Sequence, residues 1–182
     1  MKKIKWSGDK LLGISALIIS FATLISLIYQ SRITREHEMK SAFPKLELWH
    51  NNNADKFELV LLNTGLGPAI IEDCYIIYKN DILQMDHQEF ANRYADSLPK
   101  VGYGTTSLTR GRVIQPGSEL KLIRLSLDSL SYHPLHEVFK FKSTLAIKYS
   151  SVYDQMWEIE GVGDIPKLLN EEAKVYSQML ED

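Results

Sequence analysis

Residues 11–29 read LLGISALIISFATLISLIY, and no charged residue occurs between Lys10 and Arg32. A helix of nineteen residues, at about 1.5 Å each, measures roughly 28 Å, close to the hydrocarbon thickness of a bilayer. Eleven of the nineteen are Leu, Ile or Phe. At about −0.3 to −0.6 kcal/mol each, they favour insertion by roughly 3–7 kcal/mol before the polar residues are subtracted. Ser15, Ser20, Thr23 and Ser26 reduce that gain but can bond back to helix carbonyls. A core helix of a soluble protein would keep a polar face, and this stretch has none. Lys2, Lys3 and Lys5 make a basic start like that of a signal peptide, with a conceivable cleavage point after Ala22. The apolar run continues through Leu24, Ile25, Leu27 and Ile28, too long for such a leader. The expectation is a basic tail (1–10) and an uncleaved transmembrane helix (11–29). Gly13, Ala16, Ser20 and Thr23 recur at spacings of three and four. They form a candidate helix-association face, although a Ser-rich span produces such spacing by chance.

Outward from the anchor, residues 30–43 read as a helical linker. Arg32 and Glu36 stand at i,i+4, and Pro44 stops the helix because the residue before proline avoids the α region. From Lys45 the period changes to two. Strands are expected at 45–49, 57–62, 70–78, 82–85, 113–114, 120–125, 141–149 and 156–159, separated by turn-forming residues. Residues 51–55 (NNNAD) and 115–118 (QPGS) read as turns. Residues 87–98 carry Phe90, Ala91, Tyr94, Ala95 and Leu98 at helical spacing, a short inserted helix. Residues 99–104 read as loop, and 105–112 as a loop or an edge strand. For 127–139 the pattern is indistinct and suggests a helical turn or two. Asp164 as N-cap and Pro166 in the first turn predict a C-terminal helix, 164–182, with Leu168, Leu169, Val175, Tyr176 and Met179 on one side. Short strands without βαβ alternation predict a mainly β, antiparallel sandwich over 44–163, immunoglobulin-like first and an open barrel second.

The layout carries short motifs: Asn63-x-Gly65-x-Gly67-Pro68-Ala69-x-Ile71, then Gln115-Pro116-Gly117, Tyr149-Ser150-Ser151-x-Tyr153, and Trp157 in the closing strand. With the apolar span and basic linker, it resembles a group of uncharacterised bacterial single-pass membrane proteins with a small β-rich, immunoglobulin-like soluble domain. That resemblance implies no catalytic residue and favours a cytoplasmic domain.

Net charge is −2 in 182 residues, so bulk charge points to no nucleic-acid partner. Cys74 is the only cysteine, which excludes an intrachain disulfide and leans toward a reducing compartment. The flanks give no orientation. Lys2, Lys3, Lys5 and Lys10 precede the span, and Arg32, Arg35, Lys40 and Lys45 follow it.

Chemistry is sparse. His133 and His136 lack a third ligand in sequence, so no metal is expected. Gly65-Leu66-Gly67 precedes a strand and lacks the third glycine of a dinucleotide fingerprint. Glu72 and Asp73, adjacent in a strand, face opposite ways and make no acid–base pair. Cys74 has no cation nearby in sequence to activate it. Arg110-Gly111-Arg112, after a Thr/Ser-rich run, is the candidate contact for an anion or a partner. Trp49, Trp157 and the tyrosines fit the core and rim of a sandwich. The expected function is non-enzymatic and cofactor-free. It is a membrane-anchored adaptor that binds a protein partner or a second copy, or alternatively a sensor of a small anion.

Overall fold

A computed structural model describes residues 8–53, 56–95, 103–126 and 134–169. The chain divides into two units, Met1–Ser41 and Ala42–Asp182. In the first, the described residues form a single helix, α1 (Gly8–Ser41), of 34 residues, none of them buried. It is long and apolar enough to cross a membrane. The Ser20 and Thr23 hydroxyls donate to the Ala16 and Ile19 carbonyls at 2.8 and 2.7 Å, so these two polar groups are satisfied within the helix.

The second unit is mainly β. Its elements are β1 (Leu46–Asn53), β2 (Lys56–Asn63), β3 (Ala69–Tyr78), β4 (Asp81–Leu83), α2 (His87–Ala95), β5 (Tyr103–Thr105), β6 (Val113–Ile114), β7 (Glu119–Ser126), α3 (Pro134–Glu137), a π-helical turn (Val138–Lys142), β8 (Ser143–Ser150), β9 (Met156–Glu160) and β10 (Lys167–Leu168). They form two antiparallel sheets. One runs β1-β2-β7-β5; the other runs β10-β9-β8-β3-β4, with β6 also on β3. A single core joins them: Leu46, Leu48, Phe57, Leu59 and Leu61 from the first sheet, Ile71, Ile76, Ile147, Tyr149 and Trp157 from the second. α2 adds Phe90 and Ala91, both fully buried. Its start is set by Asp86, whose Oδ1 accepts from the Glu89 amide at 2.7 Å. Trp49 lies at the rim, while Trp157 is in the core.

Three expectations are corrected. Asn51, Asn52 and Asn53 are strand rather than turn, paired with Glu58, Phe57 and Lys56. The Asn51 amide donates to Glu58 Oε2 at 2.9 Å, a cross-strand bond that outweighs the local preference of asparagine for turns. The loop reading fails at Tyr103 and Gly104, which pair with β7, while Thr105 beside them takes the edge-strand alternative. The predicted C-terminal helix does not begin at Ile165. Lys167 and Leu168 instead pair with Glu158 and Trp157, and Leu168 packs against the core. Asp164 turns its carboxylate back to the Glu160 amide at 3.0 Å. Residues 170–182 of that predicted helix, and 96–98 of the inserted one, lie outside the described residues.

The registers gather four segments at one end of the domain: residues 42–45, the loop 64–68, the stretch 110–118 and the β8–β9 turn. Asn63, fully buried, ties the first three together. Its Oδ1 accepts from the Gly65 and Lys45 amides at 3.0 and 3.3 Å. Its Nδ2 donates to the Gly67 and Ile114 carbonyls, both at 2.9 Å. Its own amide donates to Ser118 O, and its carbonyl accepts from Gly117 N. The amide groups of Leu66 and Gly67 both donate to Phe43 O. A Cβ on Gly67 would sit 1.8 Å from Ala42 O, and one on Gly65 would sit 2.3 Å from Lys45 N. Only glycine allows this approach of backbone to backbone. Phe43 then packs edge-on against Trp157 at 5.2 Å.

Candidate functional site

Arg110 and Arg112 flank Gly111, which adopts φ +79°, so the three residues make a tight turn rather than a free loop. Ile71 of β3 fixes that turn from both sides: Gly111 N donates to Ile71 O at 2.7 Å, and Ile71 N to Arg112 O at 2.9 Å. The two side chains go to different tasks. Arg112 Nη1 donates to Ser107 O at 2.7 Å and holds the preceding stretch in place. Arg110 is 82% exposed, its Nη2 3.7 Å from Glu72 Oε2. Glu72 reaches it because the β3–β8 register shifts between Ile71 and Asp73, a bulge that re-aims one side chain. Ser150 Oγ donates to the other Glu72 oxygen at 2.7 Å. Asp73 turns to its own neighbour, accepting from Cys74 N at 2.9 Å.

The other sequence candidates find local roles. Cys74 places Sγ 3.6 Å from Leu108 O, and burial, helped by Asp86 and Asp73, pushes its thiol up to about 12. That thiol is a structural group with almost no thiolate at neutral pH. Gly13, Ala16, Ser20 and Thr23 all lie in α1, and a Cβ at Gly13 would meet nothing within 4 Å. Among the described residues no three His, Cys, Asp or Glu side chains converge on a metal-sized point.

A second cluster stands at the opposite end of the domain, and sequence reasoning did not find it. The imidazoles of His50 on β1 and His136 on α3 both pack on the Phe57 ring, at 5.1 and 4.9 Å between centroids. The Nε2 atoms of both histidines are buried and have no hydrogen-bond partner among the described residues. Burial holds the His50 imidazole below its usual range, with Lys140 and His136 adding to the effect. Burial and Lys140 do the same to His136. His50 and Lys140 line a cleft of about 170 Å³ together with Leu48, Leu59, Phe139, Ser143, Thr144, Leu145, Gly161 and Val162. Gly161, at φ +81°, closes the wall where a Cβ would meet the Thr144 methyl at 2.9 Å. No single sequence signal marks this cleft, because its polar residues come from β1, the π-helical turn and β8.

Compared with known proteins, the chain matches no family profile and no curated protein.

Proposed function

We propose that this chain is a non-enzymatic recognition module of immunoglobulin-like topology, held in a membrane by α1, that binds another protein. The strand order carries the reading. One sheet runs β1-β2-β7-β5 and the other contains β9-β8-β3-β4. Lettered in chain order, with β6 and β10 set aside as additions, this order reads A-B-E-D and G-F-C-C′, which supports an immunoglobulin-like sandwich. Such domains bind through the loops at the ends of the sandwich. Here the loops 64–68 and 151–155 share one end and expose Leu66 (74%) and Val152 (53%) beside Arg110. A helix with so much exposed apolar surface and no buried residue is at home in lipid. The lone, protonated Cys74 fits a cytoplasmic domain.

The test is cross-linking of the full chain in its own membranes, followed by detergent purification. A partner at fixed stoichiometry is expected, lost in the Leu66→Ser/Arg110→Ala variant while the variant still resists carbonate extraction. Release of the native chain by carbonate, or a partner retained equally by the variant, overturns the reading.

A further inference from the structure

We propose that residues 134–142, α3 with the π-helical turn, form an acid-released strap, latched to the β1–β2 hairpin by His50 and His136 on the Phe57 ring. The latch is a cluster of three rings. His50 comes from β1 and His136 from α3, at 5.1 and 4.9 Å from Phe57 between centroids. Nε2 of each imidazole is buried and meets no hydrogen-bond partner among the described residues. A neutral imidazole fits such a place, because one of its nitrogens carries no hydrogen. An imidazolium carries N–H on both and would bury a donor without an acceptor. Charge points the same way. Burial is the largest cause that disfavours the charged form of each ring; Lys140 adds to it at both, and His136 adds to it at His50. Among the described residues no carboxylate balances them. Glu137, beside His136 in α3, lies 2.7 Å from Lys142 Nζ of the π-helical turn. Glu58, next to Phe57 in β2, accepts from Lys121 and Asn51. From β8 and the β9–β10 turn the cleft beside His50 receives Ser143, Thr144, Gly161 and Val162, none of them charged. Both imidazoles titrate low when latched, so the latch is fully stable above about 6.5 and weakens as pH falls below it. The strap is the element that protons can release. It belongs to neither sheet, so its departure breaks no strand ladder. Its buried anchors are Val138 and Phe139, the latter edge-on to Phe90 at 5.5 Å. Release uncovers Phe57, Val138 and Phe139, an apolar surface at the end of the domain away from the Arg110 turn.

The experiment is hydrogen exchange of the full chain in detergent micelles, read by mass spectrometry at about pH 7.5 and about pH 5 and corrected for intrinsic exchange. Each imidazole that stays neutral when latched and titrates at about 6.5 when free raises the opening constant by up to about 30-fold over that interval, and two raise it by up to about 1,000-fold. Protection over 134–142 is expected to fall at least ~10-fold at the lower pH, while β3 and β9 keep theirs. His50→Phe/His136→Phe keeps three rings packed with none that titrates, and it is expected to abolish the change. Its melting at the higher pH establishes that it folds. Lys140→Glu, which supplies a carboxylate beside the rings, is the second variant and is expected to shrink the loss. The competing acid trigger is His87, fully buried at the start of α2 with Nε2 2.8 Å from Thr106 O. It would loosen residues 103–112 and would act equally in the double variant. No loss of protection over 134–142 in the native chain, an equal loss across β3 and β9, or a loss undiminished in the double variant or in Lys140→Glu each overturns the proposal.

Discussion

Replacing Asn63 with alanine removes both halves of a carboxamide whose four hydrogen bonds join three backbone segments. The Lys45 and Gly65 amides are half-buried and can turn to water. The Gly67 and Ile114 carbonyls are bonded in a buried environment and lose their donor. Each buried group left without a partner costs about 1–3 kcal/mol, so the loss is roughly 2–6 kcal/mol. Against a total stability of about 5–15 kcal/mol that is a large share. For a domain of this size it lowers Tm by roughly 6–20 °C. The assay is thermal unfolding of the full chain in detergent, followed by tryptophan emission, since buried Trp157 packs on Phe43 in the segment that Asn63 holds. Asn63→Asp separates hydrogen bonding from volume. Its carboxylate keeps the acceptor facing Lys45 N and Gly65 N but sets an oxygen against two carbonyls. It should therefore be at least as destabilising as alanine at neutral pH. If Asn63→Ala melted within about 2 °C of the native chain, or if aspartate were the milder change, the network would not hold this end of the fold.

The remaining predictions concern two titrating groups. Cys74, raised from 9.0 to about 12, carries roughly a thousandfold less thiolate than an ordinary cysteine. Alkylation by iodoacetamide near pH 8 should be at least ~100-fold slower in the folded chain than in denaturant; equal rates would show the thiol to be accessible and ionised. Glu58, buried on β2, is held below its usual 4.5 chiefly by the hydrogen bond from Lys121, at 3.1 Å, with Asn51 adding a second. A depressed carboxyl stabilises the fold above 4.5 and stops doing so as pH falls through its folded value. Glu58→Gln should thus lower stability by about 1 kcal/mol at neutral pH, since half-exposed Lys121 is partly screened by water. The gap from the native chain should close as pH drops below 4.5; a gap constant down to the acid transition would remove Glu58 from the pH response.

The parts of this fold legible in the sequence are those where a local pattern and a long-range contact agree. Alternation marked β7 and β8, and the glycines and proline after Asn63 marked a sharp turn. Two failures came from contacts that no local window contains. Asn51 to Asn53 carry turn chemistry, yet β2 offers each of them a partner. Residues 165–168 carry helix-start chemistry, yet the open edge of β9 takes Lys167 and Leu168 as a strand. The candidate site followed the same rule. Arg110 and Arg112 were visible as a cationic pair. Their division of labour depends on the Gly111 turn and on a bulge that brings Glu72 across. His50 and Lys140 are 90 positions apart, and neither stands in a motif.

The glycine pair shows why the two ends of the domain are built so differently. At one end, Gly65 and Gly67 press backbone on backbone, and Asn63 spends every donor and acceptor it has. Such a surface has no room for a small ligand, and its polar atoms are already satisfied. What it offers a partner is shape and exposed side chains: Leu66, Val152 and Arg110. At the other end, polar atoms are left over. Among the described residues His50 Nε2 has no partner, and a cleft opens beside His50. Satisfied chemistry beneath exposed apolar tips suits a macromolecule rather than a small molecule. Changes at the two ends should therefore add in stability, because sites this far apart with no shared partner do not couple.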